Sequence, residues 1–436
     1  PWHDHPVPVP PTLRLLTGGT APDDVAALRT ALAERLVQRG LLVARGDPPA
    51  SSAMAGAGAE SAVKPLPLLV PIGPGEDEGR VRADLARRIT RVPARTDLIL
   101  RTSGSTTGTG RLIAMSAAAL VASARATHDR LGGPGTWLLP LPAHHVAGLQ
   151  ILIRSLIAGT TPVVVDTSRG FSPTTLADAL RSVRVPAGAA ASAAVGTAAG
   201  AAVSPTAGST DPRLYVSLVP TQLVRVLQDP QARRALAGAD AVLLGGAAAD
   251  PALLARARGA GVTVVTTYGM SETGGGCVYN GLPIPGARIH VTGERIHLGG
   301  PMIAQGYRNS SNDEAFAYPM WFSTQDTGQM VDGRLQVTGR IDTVIDSGGL
   351  KLHPEVVESA MLGISGVKAA CVVGVPHPRL GQAVVAVYVG PASPGQVIAG
   401  LSELPRWQLP KELKRLDALP LTGPGKVDRR AVQRLF

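Results

Sequence analysis

RTSGSTTGTGR, residues 101–111, follows a short apolar run at 98–100 and precedes a helical pattern that begins near Ser116. Gly104, Gly108 and Gly110 let the backbone curl with successive N–H groups facing one concavity, and Ser103, Ser105, Thr106 and Thr107 add hydroxyl donors around it. Arg111 supplies a cation at the exit. Between a buried-looking strand and an amphipathic helix, such a stretch reads as a phosphate-binding loop and not as a flexible Ser/Gly linker.

Outward from the loop, strand and helix patterns alternate. Strands are expected at 137–141, 162–165, 215–219, 241–244 and 262–267, with helices at 147–158, 173–183, 220–228 and 251–259. That order predicts parallel sheets covered by helices. Upstream, Val25, Leu28, Leu32 and Leu36 mark a helix over 23–40 stopped by Gly40, and a second helix spans about 76–91. Residues 47–60 and 186–211 are Ala/Gly/Ser-rich and read as loops or insertions. From 287 to 338 the period shortens to two, which is hairpin material. Beyond Arg340 come a helix at 354–362, strands at 369–375 and 383–389, a helix near 395–404 and a last helix near Asp428. The expected class is α/β, with a large N-terminal domain (1–340) of helix-covered sheets with a small β subdomain, and a small mobile α+β domain (341–436).

A chain of 436 residues with 44% hydrophobic and 17% charged residues has material for two or more cores and is not disordered. Cys277 and Cys371 stand apart without metal-type spacing, which fits a reducing, cytoplasmic setting. The proline-rich start, PWHDHPVPVPP, lacks the basic-then-apolar order of a secretory signal, and His3 and His5 read as solvated. The most apolar segment, 149–165, carries Arg154 and a turn, so no membrane span is expected. A net charge of +10 raises nucleic-acid binding, but the arginines are scattered and aromatics are 3% of the chain. A basic surface suits small polyanionic substrates equally well. Self-association as a homodimer is left open.

Further groups stand at strand ends. TTYGMSET, 266–273, turns at Gly269 and presents Ser271 and an exposed Glu272, a candidate Mg²⁺ ligand for a nucleotide. STQDTG, 323–328, places Asp326 before a hairpin, and GRID, 339–342, places Arg340 just after it; together they can grip a ribose diol. PLTGPGKVDRR, 420–430, holds Lys426 on a Gly/Pro-shaped loop. Singly, each is an ordinary surface group.

In this order and spacing, the motifs resemble the adenylate-forming superfamily of acyl-CoA synthetases, peptide-synthetase adenylation domains and luciferases. The resemblance covers the chain from about residue 97. It implies that Thr102, Ser103, Gly104, Ser105, Thr106, Thr107, Gly108 and Arg111 hold the ATP phosphates. Gly245, Gly246 and Ala247 with Thr267, Tyr268, Gly269 and Ser271 would bind the nucleotide around its adenine, and Glu272 would hold Mg²⁺. Asp326 and Arg340 would hold the ribose, Lys426 would catalyse adenylation, and Asp342 would be the hinge. By the same resemblance SGGL, 347–350, would line the path of coenzyme A after the C-terminal domain rotates. The sequence departs from the family loop, Ser-Gly-Thr/Ser-Thr-Gly-x-Pro-Lys, by an extra threonine and by Gly110-Arg111 in place of Pro-Lys. Ser271 stands where threonine is usual, and Thr343 where an aspartate commonly follows the hinge.

Within the superfamily, SLVPTQL (217–223), LLGGAAAD (243–250) and LPAHHVAGLQ (141–150) resemble the ortho-succinylbenzoate:CoA ligases of menaquinone biosynthesis. That likeness places His145 at the gate of the acyl pocket. The substrate is a dicarboxylate, so its non-activated carboxylate needs a partner. Thr221 and Arg225, four apart on one helix face, are the candidates. Ligases for another aryl or acyl acid, and a non-catalytic nucleotide-binding relative, are the alternatives.

Overall fold

The computed structural model describes residues 11–43, 66–89, 92–102, 110–184, 213–308, 314–421 and 427–436. Ser103, Gly104, Ser105, Thr106, Thr107, Gly108 and Lys426 lie outside the described residues, as do 47–60 and 186–211. The fold is α/β, with a large N-terminal and a smaller C-terminal domain, and four sheets form among the described residues.

The first sheet runs Leu13–Thr17, Leu68–Ile72, Leu98–Arg101, Leu112–Met115. The first three strands are parallel and the last is antiparallel to its neighbour. The strand Leu112–Met115, LIAM, is wholly buried and pairs back along Leu98–Arg101, an element the sequence reading did not place between the loop and the helix. The helix Ala117–Leu131 starts only afterwards, where the Ser116 hydroxyl accepts a hydrogen bond from the Ala119 N–H at 3.1 Å.

Asp97 ties this region together. Its carboxylate accepts from Arg35 Nη1 at 3.0 Å, on the helix Pro22–Gln38, from Arg39 Nε at 2.7 Å, the residue that caps that helix, and from the backbone N–H of Ala117 at 2.8 Å. Asp97 and Arg35 are 1% and 3% exposed, so these charges are satisfied by each other and not by water.

The second sheet has seven strands in the order Leu282–Pro283, Gly275–Tyr279, Val264–Met270, Ala241–Leu244, Arg213–Leu218, Gly135–Leu139, Val163–Val164. The last five are parallel and the first two antiparallel. Adjacent residues enter different cores. Trp137, Tyr215 and Leu243 pack with Leu120 and Leu149 of two helices on one face, while Leu138, Val216 and Val242 pack with Leu180, Leu223 and Leu253 on the other. Cover on both faces explains the near-continuous apolar strands.

Helix starts follow local chemistry: Asp229-Pro230 and Asp250-Pro251 each pair a capping carboxylate with a proline in the first helical turn. The expected helices Pro220–Gln228 and Pro251–Gly259 and the strand Ala241–Leu244 are found with those bounds. The helix Pro230–Ala237 is an addition.

The third sheet is antiparallel, Arg288–Thr292, Arg295–Gly299, Trp321–Val331, Arg334–Arg340. Here too the reading is corrected: Asp326 lies within the eleven-residue strand Trp321–Val331, and Arg340 is its register partner at the end of the next strand. The fourth sheet contains Ile345–Ser347, Leu350–Leu352, Ala369–His377, Gly381–Val389 and Glu412–Leu416. The helix Pro354–Leu362 packs on this sheet through Val357 and Met361. SGGL is a tight hairpin turn, with Gly348 and Gly349 at φ +66° and +81°, the left-handed pair that such turns favour.

Candidate active site

The parallel sheet has one point where its connections diverge. From Gly135–Leu139 the chain moves outward to Val163–Val164, and then crosses to Arg213–Leu218 on the other side. Side chains beyond the carboxyl ends of strands at such a point surround a crevice open to ligands. His145 follows the first of these strands and Thr221 and Arg225 follow the second. Gln222 joins them, donating from Nε2 to the Pro140 carbonyl at 3.2 Å.

His145 is the residue before the helix Val146–Ala158, its ring 4.1 Å from that of His144. Burial and the neighbouring His145 hold the His144 imidazole down to about 4, so it is neutral at physiological pH. Arg225 is exposed and stacks over Phe171 at 5.6 Å, while Thr221 is exposed one turn earlier. The helix of His145 is keyed to the next part of the site by Gln150, whose Nε2 donates to the Gly274 carbonyl at 2.6 Å and the Leu120 carbonyl at 3.3 Å.

Gly245, Gly246 and Ala247 follow the strand Ala241–Leu244, beside Thr267. A Cβ at Gly245 would stand 2.3 Å from Thr267 Oγ1, so only glycine lets these two strand ends meet. Tyr268 and Gly269 lie within the strand Val264–Met270, and Ser271 opens the short turn Ser271–Thr273. Tyr268 donates its hydroxyl to Asp326 Oδ2 at 2.7 Å, and Arg340 Nη1 donates to Asp326 Oδ1 at 3.2 Å. Burial and the adjacent Asp326 carboxylate push the Tyr268 phenol well above its ordinary value, so it stays a donor. Arg340 also grips Asp342, with Nε and Nη2 each 2.8 Å from a carboxylate oxygen. The bond to Asp342, with Asp326 beside it, holds this guanidinium firmly protonated. Asp326, Arg340 and Asp342 therefore meet at one point, where the third sheet hands over to the fourth.

Glu272 is not the exposed carboxylate that the sequence suggested. It is 7% exposed, and its Oε1 accepts the hydroxyl of Tyr307 at 2.7 Å. Tyr307 in turn accepts from Arg111 Nη1 at 2.7 Å, with that guanidinium 4.6 Å from the ring centre. Tyr307 enters because residues 304–308 run along the strand Leu112–Met115, making a bridge with Ile113. The base of the glycine-rich loop is fixed as well. Thr102 N–H donates to the Arg111 carbonyl at 3.0 Å, and Arg111 N–H to Thr102 Oγ1 at 2.8 Å. Arg101, one residue before, makes a two-pronged pair with Glu76, both distances 2.9 Å.

A single buried protein carboxylate beside a phosphate site suits Mg²⁺, which is commonly held by one or two protein carboxylates, substrate phosphates and water. Among the described residues no group of three or more His, Cys, Asp or Glu forms a self-sufficient metal site. Thus the structure forms two clusters, Glu272 with Tyr307 and Arg111, and Asp326 with Tyr268, Arg340 and Asp342, connected along the chain by residues 268–272, while His145, Thr221 and Arg225 follow the diverging strands. Gln150 and Tyr307 were missed. Tyr307 sits 35 residues from Glu272 and 196 from Arg111, and only the strand pairing brings them into reach.

Residues 19–307 match the AMP-binding enzyme family, and residues 356–426 match the AMP-binding enzyme C-terminal domain. The probable 2-succinylbenzoate–CoA ligase of Mycobacterium tuberculosis is 44% identical over 349 residues, covering 78% of this chain and 84% of that protein. The 2-succinylbenzoate–CoA ligase of Salmonella typhimurium is 31% identical over 367 residues, covering 78% and 69%. The fold is similar to that of the o-succinylbenzoate CoA synthetase of Bacillus subtilis, solved with its acyl-adenylate intermediate. The TM-score is 0.68 at 21% identity, over 97% of this chain and 88% of that one.

Proposed function

The chain belongs to the AMP-binding enzyme family, and on that premise we propose that it activates 2-succinylbenzoate with ATP as an acyl-adenylate and passes the acyl group to coenzyme A. The observation that carries the nucleotide half is the Asp326 cluster: a carboxylate 7% exposed, gripped by Arg340 of the antiparallel third sheet and by Tyr268 near the carboxyl end of the strand Val264–Met270 of the parallel sheet. Likeness to relatives named for 2-succinylbenzoate, over most of both chains, supports the acid.

In this reading residues 1–340 bind ATP and acid, and residues 341–436 form a mobile unit that turns about Asp342. The 102–111 loop with Arg111 receives the phosphates, while Gly245, Gly246, Ala247, Thr267, Tyr268, Gly269 and Ser271 border the adenine. Asp326 and Arg340 take the ribose hydroxyls, and Glu272 holds Mg²⁺. Bound there, Mg²⁺ neutralises charge on the phosphate oxygens. A carboxylate oxygen of the succinyl arm attacks the α-phosphorus as the bond to pyrophosphate breaks in line, so the chemistry is mainly positioning and charge stabilisation. Lys426 donates to the charge that develops. The C-terminal unit then rotates and withdraws Lys426. The thiolate of coenzyme A attacks the acyl carbonyl and the C–O bond to AMP breaks, giving the thioester and AMP. The Gly348-Gly349 turn passes beside the pantetheine chain in that second state.

Thr221 and Arg225 receive the carboxylate that is not activated, and His145 borders the acyl pocket. A charged hydrogen bond contributes about 1.5–3 kcal/mol, so Arg225→Ala is expected to raise the KM for 2-succinylbenzoate by about 10- to 100-fold, with the KM for ATP unchanged. An unchanged acid KM would remove Arg225 from the acyl site.

A further inference from the structure

Glu272 and Arg111 are a carboxylate and a guanidinium facing the same phosphate-binding corner, and one phenol hydroxyl stands in the contact between them. Arg111 Nη1 donates to Tyr307 at 2.7 Å, and Tyr307 donates onward to Glu272 Oε1 at 2.7 Å. Tyr307 itself is fixed. It is 5% exposed, its ring meets Phe316 edge-on at 5.2 Å, and its backbone is bridged to Ile113. We propose that Tyr307 is a positioning residue for the adenylation half-reaction: its hydroxyl holds the Glu272 carboxylate and the Arg111 guanidinium apart and aims each at the metal–triphosphate. This rests on the reading of Glu272 as the Mg²⁺ ligand.

Arginine and carboxylate otherwise favour a two-pronged pair, in which each consumes the other's hydrogen-bonding capacity. That pairing would draw the carboxylate away from a cation and the guanidinium away from phosphate. The inserted hydroxyl accepts from one and donates to the other, so both charges remain oriented and polarise the chain between them. Such a spacer is needed here because the loop ends in Gly110-Arg111, and arginine presents a planar fork where a lysine presents a point charge.

The test is Tyr307→Phe, which keeps the ring against Phe316 and Arg111 and removes only the hydroxyl. Mn²⁺ serves as probe. Its affinity for the complex of full-length protein with a non-hydrolysable ATP analogue is read by electron paramagnetic resonance of the free ion. Loss of a group orienting a metal ligand commonly weakens metal affinity about 10- to 100-fold, and a fall of about tenfold is expected. Thioester formation from supplied acyl-adenylate should not change, and the melting temperature should fall only by the few degrees that one lost buried hydrogen bond costs. Arg111→Gln and the double variant complete a cycle. Because the residues act as one chain, the combined loss should fall short of the product of the separate losses by about fivefold or more.

Unchanged Mn²⁺ affinity in Tyr307→Phe, or strictly multiplicative losses, would overturn the proposal. So would an equal fall in melting temperature and every kinetic constant, which marks a structural role alone. The binding readout needs no acid, so it stands even if the acid substrate is not 2-succinylbenzoate. If Glu272→Gln leaves Mn²⁺ affinity intact, the metal-site reading fails first and takes this inference with it.

Discussion

Lys426→Ala is expected to slow acyl-adenylate formation by about 10²- to 10³-fold, while thioester formation from supplied acyl-adenylate proceeds at close to the unaltered rate. The magnitude follows from the chemistry. Negative charge on the oxygens around the α-phosphorus peaks in the transition state, and one preorganised donor in a water-poor site contributes about 2.7–4 kcal/mol there. The split follows from the proposed domain rotation, which removes Lys426 before coenzyme A enters. Leu421 and Val427, on either side of the lysine loop, pair as an antiparallel bridge, and Asp428 N–H donates to the Pro420 carbonyl at 2.8 Å. The loop's base is thus held by backbone bonds that the substitution does not touch. Pyrophosphate exchange and single-turnover thioester assays separate the half-reactions. Equal loss of both would assign Lys426 to folding or to general substrate binding.

Asp97→Ala should be the most damaging single change to stability away from the site, costing about 3–5 kcal/mol. Three groups lose their acceptor at once: Arg35, Arg39 and the Ala117 N–H. Arg35 retains carbonyl partners at Asp97 and Pro67 but is only 3% exposed, so its charge is left without a counterion or water. The same carboxylate joins the helix Pro22–Gln38, the strand Leu98–Arg101 and the helix Ala117–Leu131. Its loss should lower the first unfolding transition in urea, and Asp97→Asn should lower it less because the amide oxygen still accepts. A first transition shifted by less than about 1 kcal/mol would mean that the junction is held by packing alone.

The parallel core was legible because its strands carry continuous apolar runs and two of its helices open on Val-Pro and Asp-Pro, at Pro220 and Pro251. Pro220–Gln228 and Pro251–Gly259 were therefore readable to the residue. Of the first sheet only the strand Leu98–Arg101 was. Leu68–Ile72 contains Pro71, which argues against a central strand. It is tolerated because the register with the following strand is made at Leu69–Leu98 alone. Likewise Pro230–Ala237 was hidden because Asp229 ends one helix and caps the next, leaving no gap between them.

Site residues separated along the chain by motif spacing were readable as types, but their electrostatic states were not. Glu272 looked exposed because its own neighbours are polar. Burial comes from Tyr307 and from Ala304, whose N–H donates to the Glu272 carbonyl at 2.8 Å. The pairing of Asp326 with Arg340 was foreseen as proximity. Its cause, direct register across two strands, needed the bulge between Thr327 and Gly328 that no local pattern announces.

The central claim is tested most directly by pyrophosphate release from ATP and Mg²⁺ with 2-succinylbenzoate, benzoate, a medium-chain fatty acid and several amino acids, each with and without coenzyme A. The account predicts release with 2-succinylbenzoate alone among these acids, and conversion to its thioester with AMP when coenzyme A is present. Release with another acid but not with 2-succinylbenzoate, or silence across the set in protein that still binds ATP, would contradict it.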